Sequence, residues 1–133
     1  MTGTWKAQDA NGKNITITIT NSTIKIGDAI QTYKYNGSEN VSTDGRASAK
    51  VGNDLGIFNL KQQDIYAYAI TTQDNNLYTI AIPNSNDKKT AILIKTSASS
   101  YSVETELLQG KMVYAMNKNS RPDYKYYSTK YLK

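Results

Sequence analysis

Histidine and cysteine do not occur anywhere in the 133 residues of this sequence. Their absence excludes disulfide bonds, zinc sites built from cysteine and histidine, thiol nucleophiles and imidazole bases. Phenylalanine and tryptophan occur once each, so that eleven tyrosines supply most of the aromatic side chains. No apolar run approaches the roughly 18 residues of a membrane-spanning helix, and we expect no transmembrane segment. A chain of this length is expected to form one domain, 1–133, whose core needs no metal or disulfide.

Carboxylates and tyrosines are the side chains left for acid–base chemistry. Glu104 and Glu106 lie two residues apart and would share one face of a strand. Two carboxylates placed so close together can be coupled, which raises the pKa of one of them and suits it to acid–base chemistry. The simpler interpretation is that both glutamates belong to a solvated linker. The segments 9–12 and 74–76 carry oxygen ligands suited to calcium but lack a binding loop with a terminal glutamate, and turn chemistry explains them. No glycine-rich phosphate-binding motif occurs. We therefore predict a protein that is not an enzyme and that holds no metal or cofactor.

Alternation of apolar and polar residues predicts strands. Three isoleucines alternate with three threonines in the segment 14–20, as expected of a strand with one buried and one solvated face. The glycine-rich segment 37–56 is the least regular part, with one short edge strand expected at 47–51. Further strands are predicted from β-branched and aromatic runs between turn residues, at 4–7, 23–26, 30–35, 64–71, 77–82, 90–96 and 111–117.

Short links between consecutive strands indicate an up-and-down meander. The strands at 64–71 and 77–82 are expected to pair with Tyr68 opposite Ile80. Placing Ile80 opposite Ile94 on the next strand makes one bulky face run across three strands. About eight antiparallel strands in this order predict an all-β fold closed into a barrel without exposed edges. The residues predicted to line the barrel interior are Tyr66, Tyr68, Tyr78, Ile80, Ile92, Ile94, Met112 and Tyr114.

The last part of the chain changes from strand to helix character. Ser120 is able to cap a helix, and Asp123 suits the positive end of a helix dipole. A helix over 121–132 places Tyr127 and Tyr131 on one face together with Tyr124, and this face is expected to pack on the outside of a barrel formed by 3–118.

Positive charge concentrates in the same region. The net charge is +5, and from residue 111 onward six lysine or arginine residues stand against Asp123 alone. Nucleic-acid binding through tyrosine stacking is disfavoured, because the central tyrosines are assigned to the interior. The basic tail could instead attract anionic cell-wall polymers or lipid headgroups, or form an ordinary solvated helix face.

Gly3-Thr4-Trp5 resembles the G-x-W motif of the lipocalins and the wider calycin group. The order of elements, an eight-strand meander followed by a helix, is also similar to a lipocalin. This resemblance implies that Trp5 packs across the closed end of the barrel against an arginine after the last strand, and Arg121 matches that position. The chain departs from the family in its short length and in lacking a T-D-Y segment. The closer likeness is to small lipocalin-like domains of secreted proteins or lipoproteins of Gram-positive bacteria.

These observations predict a non-catalytic binding protein that holds a small apolar or amphipathic molecule inside the barrel. The alternative is a barrel that carries no ligand and interacts with a cell-wall polymer or a surface protein through the loops at 37–56 and the basic helix. Asparagine, threonine and serine make up 39 of the 133 residues. This composition resembles exported Gram-positive proteins, and we expect an extracellular location, secreted or lipid-anchored.

Overall fold

The computed structural model describes residues 2–37, 43–44, 64–83, 86–96 and 111–132. The predicted strand at 47–51, the glutamates at 104 and 106 and most of the loop at 37–56 lie outside these residues. The strands are β1 (Gly3–Asp9), β2 (Asn14–Ile19), β3 (Thr23–Ile26), β4 (Ala29–Gly37), β5 (Thr43–Asp44), β6 (Asp64–Thr72), β7 (Leu77–Ile82), β8 (Thr90–Thr96) and β9 (Lys111–Asn117), and the helix is α1 (Tyr124–Tyr131).

Eight of the described strands form a closed antiparallel barrel. Each strand pairs with its neighbour in the chain, except that β4 pairs with β6, and the ring closes where β1 pairs with β9. The two-residue strand β5 pairs with the start of β6. The prediction of an all-β, up-and-down barrel of eight strands followed by a short helix is therefore confirmed.

The first hairpin shows how local sequence sets the start of the barrel. The Asp9 carboxylate accepts hydrogen bonds from the backbone N–H groups of Asn11 and Lys13, both at 2.9 Å. Gly12 has φ 82°, a conformation that glycine adopts without steric cost. This turn sets the register in which Trp5 lies opposite Ile17, and both side chains are completely buried.

The barrel interior is filled by one cluster of apolar side chains from almost every strand. The members of this cluster alternate along each strand with residues that face the opposite side of the sheet, as the pleat of a β-strand requires. Tyr68 and Tyr114 are partly buried and pack against this cluster. The buried members are Trp5, Ala7, Ile17, Ile19, Ile24, Ile70, Tyr78, Ile80, Ile82, Ala91, Leu93 and Met116.

The predicted register is right for one hairpin and wrong for the next. Tyr68 lies opposite Ile80, as predicted. Ile80, however, lies opposite Leu93 rather than Ile94, and the shift of one residue turns every side chain of β8 to the other face. Ile94 therefore points away from the interior cluster.

A β-bulge between β8 and β9 causes a second difference from the predicted barrel interior. Leu93 pairs with Tyr114, but the next residue, Ile94, pairs with Met112. One extra residue of β9 is accommodated there, so that Met112 and Tyr114 belong to opposite faces although they are two residues apart. Ile92, Ile94 and Met112 are buried, but on the face opposite the interior, and the prediction that they line the barrel is wrong.

Among the described residues, this opposite face holds two buried hydroxyl groups for which no described group is a hydrogen-bond partner, those of Thr71 and Thr79. An unpaired buried hydroxyl costs about 1–3 kcal/mol. We expect Thr79→Val to raise the free energy of unfolding by about 1–2 kcal/mol, measured by urea denaturation.

Thr72 provides the matched control for that substitution. Its side chain is also completely buried, but its hydroxyl oxygen accepts the backbone N–H of Asn76 at 3.1 Å. Thr72→Val removes this acceptor and should lower the free energy of unfolding by about 1–2 kcal/mol. Destabilisation of equal size in both variants would show that the Thr79 hydroxyl has a partner.

Helix α1 packs on the outer surface of the barrel through its tyrosines. Its N-cap is Asp123, whose carboxylate accepts the backbone N–H groups of Lys125 and Tyr126; it is not Ser120. Tyr127 and Tyr131 are buried, which confirms the predicted tyrosine face. Among the described residues, no helix has the length and apolar character required to cross a membrane.

The start of the helix is fastened to β1 and β9. The Gln8 side-chain oxygen accepts the backbone N–H of Tyr124 at 2.8 Å, and the Tyr124 hydroxyl donates to the backbone oxygen of Met112 at 2.6 Å. The Asn117 amide donates to the Tyr127 hydroxyl at 3.2 Å. These bonds hold α1 against the strands that close the barrel.

Candidate binding site at the open end of the barrel

The up-and-down order places alternate connections at opposite ends of the barrel. One end carries the β1–β2, β3–β4 and β6–β7 turns, and we call it the open end. The other carries the start of β1, the β2–β3 and β7–β8 connections, β5 with the start of β6, and the segment between β9 and α1, and we call it the closed end.

Trp5 and a lysine seal the closed end. The Nζ atom of Lys118 lies 5.1 Å from the centroid of the Trp5 ring and donates to the backbone oxygen of Thr2 at 3.1 Å. Gly3 has φ 128°, in the region that favours glycine, so the chain enters β1 in a conformation that other residues rarely adopt. The cation over the indole is therefore Lys118, whereas Arg121, which the lipocalin resemblance assigned to this position, is exposed.

The open end contains a cavity of about 760 Å³. Ile15, Ile26 and Tyr114 contribute its apolar wall, and each is only half-buried because it faces this space. Lys13 and Asp28 stand at the entrance. Thr16, Thr18 and Lys25 also line the cavity, and they lie on the outer face of β2 and β3. The cavity therefore extends from the interior face over the β3–β4 turn to the outside of the barrel, and it is open to solvent.

Three polar side chains form a hydrogen-bonded group inside the same end of the barrel. Gln31 lies opposite the buried Ile24 and so faces inward. Its amide nitrogen donates to the Tyr78 hydroxyl at 2.9 Å, and its amide oxygen accepts from Asn76 at 2.7 Å. Because their partners are fixed, these polar groups can be buried at the edge of an apolar core without a large desolvation penalty.

Burial changes the ionisation of the two tyrosines at this end. Desolvation raises the pKa of Tyr78; its hydrogen bond to Gln31 lowers it, and the charge of Asp74 raises it. Desolvation is also the main reason that the pKa of Tyr114 is raised, with smaller contributions from Asp9 and Tyr78. Both phenols are therefore neutral hydrogen-bonding groups at pH 7 and do not provide a phenolate base.

The structure brings together only part of the predicted site. Tyr68, Tyr78, Ile80 and Tyr114 belong to the interior, but of these only Tyr114 lines the cavity. Tyr66 pairs with Ile82, and its side chain lies outside the described residues.

Several residues at the two ends were not predicted as site residues. Ile15 and Ile26 belong to alternating strands, and this alternation could have identified them as inward-facing. Lys118 follows β9 directly, three residues before Arg121, so the element order alone could not choose between them. Gln31 and Asn76 are separated by 45 residues, and no local pattern signals that they meet.

Comparison of the chain with protein-family models, with curated protein sequences and with solved structures found no match. The closed eight-stranded antiparallel barrel is consistent with a lipocalin-like fold. Within the described part of the chain, no three acidic side chains are grouped so that they could hold a metal ion. The open-end cavity is therefore the candidate binding site in the described part of the chain.

Proposed function

We propose that this protein is a non-catalytic binding protein that takes a small amphipathic molecule at the open end of its barrel. The cavity of about 760 Å³ carries the proposal, because its size lies within the roughly 300–1,000 Å³ of small-molecule sites. Its half-buried isoleucines provide apolar area that a ligand would remove from water.

The lining of the cavity indicates the chemistry of the ligand. Ile15 and Ile26 suit an apolar chain or ring, while Lys13 and Lys25 provide positive charge at the entrance. The Tyr114 ring provides apolar contact and its hydroxyl a neutral hydrogen-bonding group. We therefore favour a molecule with an apolar body and an anionic or polar end, bound with that end toward solvent.

The packed core limits how deeply such a ligand can enter. Ile24, Ile80, Leu93 and Met116 are completely buried in the interior cluster. Because protein cores are close-packed, a ligand below the mouth would have to displace these side chains. We place the ligand at the mouth, above the level of Ile80 and Leu93.

A fluorescence titration with 1-anilinonaphthalene-8-sulfonate, an apolar anion, tests this proposal. Ile26→Asp places a carboxylate in the apolar wall and should weaken probe binding by about tenfold or more, since both desolvation and charge oppose it. Ile30→Asp is the matched control: Ile30 lies on the next strand, is 63% exposed and is not part of the cavity lining, so binding should change less than about twofold.

A second variant tests whether weaker probe binding in Ile26→Asp is caused by loss of folding rather than by the change in the cavity wall. Ala29 is exposed at the entrance, and Ala29→Trp should obstruct the cavity without changing the core. Near-ultraviolet circular dichroism of Trp5 and the tyrosines reports whether each variant is folded. Unchanged probe binding in folded Ile26→Asp and Ala29→Trp variants would refute binding at this site.

The completely buried interior side chains favour one alternative, a barrel without a ligand that interacts through its surface. Side chains alone can fill a barrel of eight strands. The partner would then be an anionic cell-wall polymer or another surface protein. Absence of probe binding to the wild-type protein would favour this alternative.

We also propose that this protein is a small lipocalin-like domain of the calycin group, and that it comes from a secreted protein or lipoprotein of a Gram-positive bacterium. Gly3-Thr4-Trp5, the barrel topology and the composition rich in asparagine, threonine and serine support this proposal. Detection of the protein in the cell-envelope or culture fraction would test the extracellular location.

A further inference from the structure

We propose that the closed end of the barrel and the exposed side of α1 form a docking surface for a membrane rich in anionic phospholipid. This surface is distinct from the open-end cavity and does not depend on whether a small molecule binds there. We call it the basic face, and its cationic residues are Lys6, Lys88, Lys89, Lys118, Arg121, Lys125 and Lys130.

The residues of the basic face belong to neighbouring segments. The backbone N–H of Lys118 donates to the backbone oxygen of Lys89 at 3.0 Å, which joins the β7–β8 connection to the end of β9. Lys6 Nζ lies 3.4 Å from the backbone oxygen of Asn119. The face is therefore continuous from β1 to the segment that leads into α1.

The β7–β8 connection also lies beside the helix. Asn117 bridges the two through its amide, which donates to Thr90 at 3.3 Å and to Tyr127 at 3.2 Å. Burial is the main reason that the pKa of Tyr131 is raised; the charge of Lys130 lowers it, and smaller contributions from Tyr127 and Asp87 raise it. Asp87 belongs to the β7–β8 connection and Tyr131 to α1, so the effect of one on the other agrees with the hydrogen bonds that place the connection beside the helix.

Asp44 and Asp64 pair at the start of β6, on the far side of β7 from these segments. The segments themselves contain two described carboxylates, and both accept hydrogen bonds. Asp87 accepts from the backbone N–H of Lys89 and the hydroxyl of Thr90, each at 3.0 Å. Asp123 accepts the backbone N–H groups at the start of α1. Neither carboxylate forms an ion pair with a described residue, so within the described part of the chain the seven cations are not paired with these two carboxylates.

The basic face accounts for the entire excess charge of the protein. With its seven cationic residues and two aspartates set aside, nine lysine or arginine residues and nine acidic residues remain in the chain. A charge of this sign on one side attracts an anionic surface and orients the molecule toward it.

An exposed tyrosine favours a lipid surface over a soluble polyanion. Tyr126 is 56% exposed, and the Lys130 ammonium lies 5.6 Å from its ring centroid. Tyrosine rings are enriched at the headgroup level of membranes, where one end of the ring is apolar and the other is wet. Six of the seven cations are lysines, which act as flexible point charges rather than as rigid bidentate donors.

Flotation with lipid vesicles tests the proposal. The wild-type protein should float with vesicles containing phosphatidylglycerol at low salt, should not float with pure phosphatidylcholine, and should dissociate as ionic strength rises. A lysine near an anionic surface contributes about a fivefold change in binding. The double variant Lys125→Gln/Lys130→Gln should therefore bind about 25-fold more weakly.

The open end supplies a control with the same change in net charge. Lys13→Gln/Lys25→Gln should retain vesicle binding within about twofold. Because Lys130 contacts two tyrosine rings, the loop variant Lys88→Gln/Lys89→Gln provides a second test that does not alter the helix, and circular dichroism checks the fold of each variant.

Three results would overturn the proposal. The first is the absence of wild-type binding to phosphatidylglycerol vesicles. The second is an equal loss in the open-end control, which would show that total charge and not the basic face matters. The third is tighter binding to soluble polyphosphate than to vesicles with no effect of Tyr126→Ala, which would identify the face as a site for a soluble anionic polymer. None of these outcomes bears on probe binding at the open end.

Discussion

Replacement of Trp5 by alanine is expected to lower the free energy of unfolding by about 3–5 kcal/mol. The indole is completely buried in the interior cluster, and the strand that carries it pairs with both β2 and β9. Removing it leaves a cavity at the closed end, where the paired strands cannot easily collapse. Urea denaturation with linear extrapolation gives the free energy directly.

The variant Lys118→Met separates burial of the ring from the charge above it. Methionine keeps much of the apolar stem but removes the ammonium group 5.1 Å from the indole centroid and its bond to Thr2. For Lys118→Met we expect the free energy of unfolding to fall by about 1 kcal/mol.

The result that would contradict the first prediction concerns Trp5→Ala. A fall in the free energy of unfolding of less than about 1 kcal/mol in that variant would place the indole outside the core.

Alkaline pH is expected to destabilise this protein strongly, beginning near pH 10. Burial raises the pKa of Tyr33 from 10.0 to about 12, and burial is also the main cause of the raised pKa values of Tyr78, Tyr114, Tyr124 and Tyr131. Above pH 10 the unfolded chain loses these protons while the folded protein retains them. The unfolded state then binds fewer protons, so stability falls as pH rises.

Each such tyrosine contributes at most about 1.4 kcal/mol per pH unit, and partial exposure reduces this value. Urea denaturation at a series of pH values below and above pH 10 measures the slope. Tyr33→Phe should make the slope less steep between pH 10 and 12. Below pH 10 it should also cause a constant loss of about 1 kcal/mol, because the Tyr33 hydroxyl donates to the backbone oxygen of Thr20.

Tyr126→Phe makes the same chemical change on an exposed ring and serves as the control for this experiment. An identical pH slope in wild-type protein and Tyr33→Phe would contradict the role assigned to Tyr33. The pH-independent part of the loss would still report the hydrogen bond to Thr20.

The fold was predictable where one face of a strand differs from the other. In β6, Tyr68 and Ile70 alternate with alanines, so only one register with β7 places bulky residues opposite each other, and that register is observed. In β8, the run Ala91–Ile94 is completely buried on both faces. Because apolar residues do not alternate with polar ones in this run, the sequence does not indicate which side chains face inward. The predicted register of β8 against β7 was therefore wrong by one residue.

The sites at the two ends were less predictable, because they depend on contacts between distant parts of the chain. The choice of Lys118 over Arg121 depends on how the chain leaves β9, not on residue type. The bulge between β8 and β9 has no glycine or other local signal, yet it determines that Tyr114 faces inward and Met112 outward. Asp123 was recognised as favourable at the start of the helix, but its role as the N-cap required the backbone geometry.

The pairing of β1 with β9 has a consequence for biosynthesis. Residues 6–9 meet residues 114–117, so the ring cannot close before nearly the whole described chain has left the ribosome. Closing contacts of such large sequence separation slow folding, because the entropy of a long loop is lost before the contacts form. Until then β1 has β2 as a partner and one unpaired edge, with Trp5 in contact with water. A nascent chain of this protein is therefore most exposed to aggregation just before the last strand is synthesised.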